Sequence, residues 1–197
     1  GEGGRAAQLD HGSPWKGDDR VLATVDGALA ESYAESFRRQ KAFNAPGRSP
    51  KMWAELWVGW MTSWGTKAAN FTVGKFHSGV AEMVREKASF SLYMAHGGTN
   101  FGYWSGANSD EAGEDFRPDV TSYDYNAPIS EAGDHNVGVD GGDLFEAVRR
   151  AVAEGADEAP PAEPAPVPKS AYGRVDLPEV APLLDNLGAL ATCASRV

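Results

Sequence analysis

Residues 52–95, MWAELWVGWMTSWGTKAANFTVGKFHSGVAEMVREKASFSLYMA, decide the fold class of this chain. Their first six residues form an apolar run that reads as a strand buried on both faces. From Asn70 onward, Val73, Phe76, Val80, Met83 and Val84 recur at helical spacing and end at Arg85-Glu86-Lys87, which predicts an amphipathic helix of about four turns. Residues 89–95 (SFSLYMA) read as a second strand closed by Gly97-Gly98. Strand, helix and strand in this order make a βαβ unit with parallel strands and a right-handed crossover. One ambiguity stands: Trp53, Trp57, Trp60 and Trp64 are three to four residues apart, a spacing that also fits one face of a helix.

Working outward, residues 20–25 (RVLATV) predict a further short strand, closed by Asp26-Gly27 as a loop, and Glu31 and Glu35 fall in a helical stretch. Residues 102–140 hold no sustained period and are rich in Gly, Asn, Asp and Ser. So long a connection in a compact domain is functional or disordered. Asp143 with Glu146 forms a capping box, and Leu144, Phe145, Val148 and Val152 predict a helix that stops at Gly155. Residues 159–168 (APPAEPAPVP) read as a polyproline-type linker, and residues 171–190 as the opening of a region too short to fold alone. No internal repeat is present.

The chain has 197 residues, with 18 Lys plus Arg against 28 Asp plus Glu and a net charge of −10, which excludes a nucleic-acid grip driven by net charge. Apolar content of 42% and charged content of 23% are those of a globular protein. No apolar run approaches the roughly 20 residues of a membrane span, so no membrane partner is expected. Cys193 has no second cysteine to pair with, and reads as a tail thiol. The chain opens at Gly1 without an initiator Met or the apolar core of a signal peptide, as a processed product or a fragment would. Its length is short for a closed eight-stranded α/β barrel, typically about 250 residues. Asn70-Phe71-Thr72 is a glycosylation sequon, a triplet short enough to recur by chance.

Among the acidic residues, Glu55 stands apart, set between Trp53 and Trp57 at the end of an apolar run. A carboxylate there is either tolerated for function or a surface residue. In a parallel sheet it falls near the carboxyl end of its strand, with Tyr93 and Met94 at the carboxyl end of the next, where such folds place active sites. The tryptophans and a second aromatic group, Tyr93, Phe101, Tyr103 and Trp104, could stack on sugar faces or simply fill a core. His11, His77, His96 and His135 lack metal-ligand spacing, and no nucleophile elbow, phosphate loop or calcium loop occurs, so no metal or cofactor is expected.

The segment from Ser49 to Trp60 (SPKMWAELWVGW), followed by Trp64-Gly65, resembles the nucleophile segment of glycoside hydrolase family 35, the β-galactosidases. Residues 92–108 (LYMAHGGTNFGYWSGAN) and 118–134 (PDVTSYDYNAPISEAGD) resemble two further blocks of that family in the same order. Weaker similarity covers residues 9–15 and 169–175. The resemblance implies a TIM (β/α)8 barrel and retaining hydrolysis of terminal non-reducing β-D-galactosyl residues. It assigns Glu55 as nucleophile and places Tyr93, Tyr125 and Trp57 in the substrate site. The implied partner is a β-galactoside oligosaccharide or glycoconjugate, in a secreted, lysosomal, vacuolar or cell-wall setting, with the oligomeric state open.

Two departures qualify this. The family's acid/base, a Glu in an Asn-Glu type segment at the fourth barrel strand, has no match: Glu2, Glu31 and Glu35 are in other settings and no Asn-Glu dipeptide occurs. Asn126 replaces the family's usual Asp, expected to be a small change in a turn. The expected fold class is therefore α/β, a partial TIM barrel with its last strands and helices only. Remnants of strands five to eight are expected at residues 13–15, 20–25, 52–55 and 89–94. The expected division is the C-terminal half of the barrel over residues 1–157, a Pro-rich linker over 158–170 and an incomplete β-rich region over 171–197. Rival readings are a non-catalytic galactose-binding relative, an inactive truncated pseudoenzyme, or a fragment with no independent role.

Overall fold

The structure, a computed structural model, describes residues 21–30, 32–166 and 168–186. The expectations for residues 1–20, including the fifth-strand remnant, Glu2, His11 and the 9–15 similarity, lie outside the described residues, as do Glu31 and Cys193. Two units divide the chain at Pro166. Unit one begins with β1 (Val25–Ala28), α1 (Ala34–Phe43), β2 (Met52–Trp57), α2 (Val73–Arg85) and β3 (Ser89–Tyr93). These strands form one sheet in the order β1-β2-β3, parallel throughout. The βαβ reading of residues 52–95 therefore describes an α/β layer, and among the described residues no barrel closes.

The first strand differs from expectation. Residues 21–24 are not extended into the ladder because side chains of α1's C-terminal end occupy their backbone groups. The Ala23 N–H donates to Asn44 Oδ1 (2.7 Å), and its carbonyl accepts from Gln40 Nε2 and Asn44 Nδ2 (both 2.9 Å). Pairing starts at Val25 instead, and Asp26-Gly27, expected as a closing loop, lies inside the strand. Gly27 adopts φ +141°, a conformation closed to most side chains. Gln40, fully buried, also donates to Pro50 O and accepts from Met52 N, so one amide ties α1 to the starts of two strands.

The helical face of the sheet is the core. Val25, Leu29, Trp53, Leu56 and Val58 pack with Tyr33 and Phe37 and with Phe76, Val80 and Met83 of α2. Trp53 sets its ring edge-on to Tyr33 at 4.7 Å and to Phe37 at 5.8 Å. α2 starts at Thr72, whose hydroxyl accepts from Lys75 N, and ends within its charged Arg85-Glu86-Lys87 segment. α3 (Leu144–Ala153) adds Leu144, Ala147 and Ala151 to the same core.

Between β3 and α3 the chain is not featureless. Two-residue strands β4 (Gly98–Thr99), β5 (Ala107–Asn108), β6 (Arg117–Pro118) and β7 (Ser122–Tyr123) pair antiparallel as β4-β7 and β5-β6. Ladders this short leave no period to read. They fold the segment back over the end of β3, where Gly97 N donates to Ile129 O and Ile129 N to Ala95 O. α3 is capped by Asp143, which accepts from Glu146 N at 2.9 Å, as the capping box predicts. His77 of α2 meets Glu154 beyond α3 at 2.7 Å. In unit two, residues 168–185 are exposed, and Leu184–Asn186 forms a 3-10 turn.

Candidate active site

A register shift in β2 builds the face opposite the core. Val25 and Asp26 are consecutive on β1 but pair with Trp53 and Glu55, and on the other side Trp53 and Leu56 pair with Phe90 and Leu92. Both ladders thus carry one extra residue on β2, a bulge that breaks the two-residue alternation. Without it Trp53 and Glu55 would share a face. With it Trp53 and Leu56 enter the core while Glu55 and Trp57 turn to the other side. The Trp53 indole N–H holds the bend, donating to Gly27 O (3.2 Å) and Glu55 O (3.0 Å).

On that second face Glu55 is exposed and its Oε2 accepts from the Trp57 indole N–H at 3.1 Å. Trp57 pairs in register with Tyr93, the last residue of β3, whose carbonyl accepts from Val58 N. From Trp57 onward the aromatic rings are continuous. Trp57 meets Trp60 edge-on at 5.3 Å, Trp60 lies 6.0 Å from Tyr125, and Tyr125 contacts Tyr93 at 5.1 Å and Tyr123 at 5.4 Å. The Tyr93 and Tyr123 hydroxyls are 3.1 Å apart. Burial pushes the Tyr125 and Tyr123 phenols far up, reinforced by neighbouring tyrosines and by the charge on Glu55. Both remain neutral hydrogen-bond donors at physiological pH.

The structure brings together all four residues singled out from the sequence: Glu55, Trp57, Tyr93 and Tyr125. Trp60 and Tyr123 join them, and their signal was available, since each lies within a quoted motif. Of the second aromatic group only Tyr93 takes part; Phe101, Tyr103 and Trp104 are exposed to solvent. The four-tryptophan spacing is no helix face, because Trp53 and Trp57 are on a strand and point to opposite sides. Among the described residues no group of three or more His, Cys, Asp or Glu could hold a metal ion, and no helix is long and apolar enough to cross a membrane.

Tyr125 is seated by a tight turn. Tyr125 (φ +60°) and Asn126 (φ +57°) are both left-handed, and Ala127 N closes the turn onto Asp124 O at 3.0 Å. Asn tolerates this conformation better than most residues. Asn126 is buried, and its Nδ2 donates to Val58 O at 3.1 Å, which joins the turn to the end of β2. The position is therefore more than a surface turn. An aspartate carboxylate cannot donate to Val58 O, so Asn126→Asp is expected to destabilise the fold by about 2 kcal/mol. A urea unfolding midpoint equal to that of the unsubstituted chain would count against this.

The model of glycosyl hydrolases family 35 matches residues 5–138, a span that holds the carboxylate and every ring around it. The chain belongs to family 35 of the glycosyl hydrolases. This family-35 chain is 36% identical over 184 residues to "Beta-galactosidase 17" of Arabidopsis thaliana, covering 93% of the chain and 25% of that protein. It is 35% identical over 185 residues to "Beta-galactosidase 8" of Oryza sativa subsp. japonica, covering 93% of the chain and 26% of that protein. Against "Beta-galactosidase" of Mus musculus it is 32% identical over 170 residues, 86% of the chain and 24% of that protein. The family-35 chain thus spans about a quarter of the length of these relatives.

Proposed function

We propose that this chain carries the nucleophile side of a retaining β-galactosidase that hydrolyses terminal non-reducing β-D-galactosyl residues. In this reading its three parallel strands are the last strands of a TIM barrel over residues 1–157, followed by the linker at 158–170 and the start of a further region at 171–197. The observation that carries the reading is the Glu55 carboxylate accepting from the Trp57 indole, whose ring begins a chain of aromatic contacts through Trp60 and Tyr125 to Tyr93 and Tyr123. Sugars present apolar ring faces that stack on aromatic side chains, with polar groups fixing their orientation. The substrate is a β-galactoside oligosaccharide or glycoconjugate, met in the secretory-route compartments that the family resemblance implies.

Each residue then has a role. Glu55 attacks the anomeric carbon and forms a glycosyl ester that water later hydrolyses. Trp57 holds one carboxylate oxygen, so the other is aimed at the sugar. The Tyr125 phenol lies within the field of the Glu55 charge, and the tyrosine and tryptophan rings form the wall for galactose. A retaining glycosidase needs a second carboxyl about 5 to 5.5 Å from the nucleophile as acid and then base. No segment of this sequence resembles the family's acid/base, so the chain alone is expected to hydrolyse ordinary galactosides at a negligible rate.

A 2-deoxy-2-fluoro-β-galactoside with a dinitrophenolate leaving group tests the nucleophile directly, because that leaving group needs no proton. The expected result is one covalent label, located on Glu55 by peptide mass spectrometry and absent from Glu55→Gln. A label on another carboxyl overturns the assignment. Galactose binding without any label supports the non-catalytic galactose-binding relative instead. Turnover of a simple aryl β-galactoside by the chain, abolished by Glu55→Gln, overturns the expected inactivity.

A further inference from the structure

We infer that Asp26 is a positioning residue for Glu55, a second carboxyl set beside it across the β1-β2 ladder where it answers the charge on Glu55. The inference rests on the reading of Glu55 as nucleophile and adds a residue to it. Asp26 and Glu55 are register partners on adjacent parallel strands, and such partners have backbones about 4.8 Å apart. Val25 and Leu29 enter the core, so Asp26, one residue on from Val25, turns to the face that Glu55 occupies. The β2 bulge decides this meeting, since an uninterrupted strand would point Glu55 the other way.

The surroundings of Asp26 fit the assignment. It is half-buried, and its carboxyl is held above the usual aspartate range, first by burial and then by the charge on Glu55. Glu55 is the ionisable group that faces it from β2. Helix α1, on the other face of the sheet, turns Phe37 and Gln40 inward and holds Glu35 and Arg38 in an exposed pair. Beyond Glu55 stand the Tyr123 and Tyr125 phenols, which respond to the same charge. A negative charge on a neighbouring carboxyl favours the protonated form of Asp26.

The pairing has a consequence for the reaction. When a Glu55 oxygen bonds to the anomeric carbon, the bond from that carbon to the leaving oxygen breaks and its electron pair departs with that oxygen. Glu55 becomes a neutral ester. The repulsion on Asp26 is then relieved, and any proton it holds is released to solvent. A carboxylate at Asp26 then stands one strand away from the anomeric carbon, on which positive charge develops as the ester is broken.

Carbon-13 NMR titration of the aspartate carboxyls in the full 197-residue chain tests this, with the Asp26 signal assigned by its disappearance in Asp26→Asn. The Asp26 midpoint is expected to fall by about half a pH unit or more in Glu55→Gln, and equally after labelling of Glu55 with the fluorinated galactoside. Glu55→Asp, which keeps the charge, is expected to hold the midpoint high, an outcome that a merely structural disturbance would not produce. An Asp26 midpoint indifferent to Glu55→Gln and to labelling overturns the pairing. Labelling of Glu55 with no movement at Asp26 sinks the pairing and leaves the nucleophile standing. Movement at Asp26 in Glu55→Gln with no label on Glu55 does the reverse.

Discussion

Gly59→Ala is expected to destabilise the fold by about 3 kcal/mol or more and to dislodge Tyr125 from the site. A Cβ on Gly59 would lie 2.0 Å from the Tyr125 carbonyl oxygen, 2.7 Å from Asn126 Cβ and 2.8 Å from the Tyr125 carbonyl carbon. Two of these neighbours are backbone, in a turn whose central residues are both left-handed, and neither can rotate away. Relief requires the turn to lift off the end of β2, breaking the bond from Asn126 Nδ2 to Val58 O and separating Tyr125 from Trp60 and Tyr93. Gly74→Ala is the matching control. It lies in α2 with ordinary space around it, and the same substitution there is expected to be neutral or stabilising by up to about 1 kcal/mol. Urea unfolding checks both, with near-ultraviolet circular dichroism following the tyrosine cluster. Equal midpoints for the two variants would refute the argument from close approach.

Trp53→Ala is expected to be about as damaging, at roughly 3 to 5 kcal/mol. The ring is buried, fills the space between β2 and α1, and makes edge-on contacts with Tyr33 and Phe37. Its truncation leaves a cavity and removes the indole hydrogen bonds to the Gly27 and Glu55 carbonyls. Trp53→Phe separates the two effects. It keeps most of the ring but lacks the N–H, and should cost about 1 to 3 kcal/mol while loosening the bulge that aims Glu55. The measurement is a pair of unfolding curves together with the rate of Glu55 labelling. If Trp53→Phe labels as fast as the unsubstituted chain, the indole bond does not position the carboxylate.

Much of this was legible in residue order because the relevant physics is local. The helical spacing of Val73, Phe76, Val80 and Met83, the β-prone run 89–93 and the Asp143 cap act within a few residues of each other. The motif around Glu55 is long enough to be specific, and so is the SYDY segment. The failures are equally physical. Residues 20–25 look like a strand, yet Gln40 and Asn44 capture the backbone of Ala23 and move the start of pairing to Val25. Asp26-Gly27 looks like a turn because Asp-Gly commonly is one, and only the parallel neighbour makes it strand. Residues 98–123 show no pattern because two-residue ladders have none to show.

By itself, the sequence determined the family, the parallel strand-helix-strand layer and the identity of the carboxylate and rings to be considered, all properties of short segments or of long specific matches. Tertiary structure alone decided which side of the sheet each of these faces. One extra residue in β2 reverses the alternation, sends Trp53 inward and Glu55 outward, and sets Glu55 beside Asp26. The turn at Tyr125 and Asn126, seated against Gly59, completes the aromatic wall from residues far along the chain. Strand register and turn seating depend on partners distant in sequence, which is why no local pattern records them.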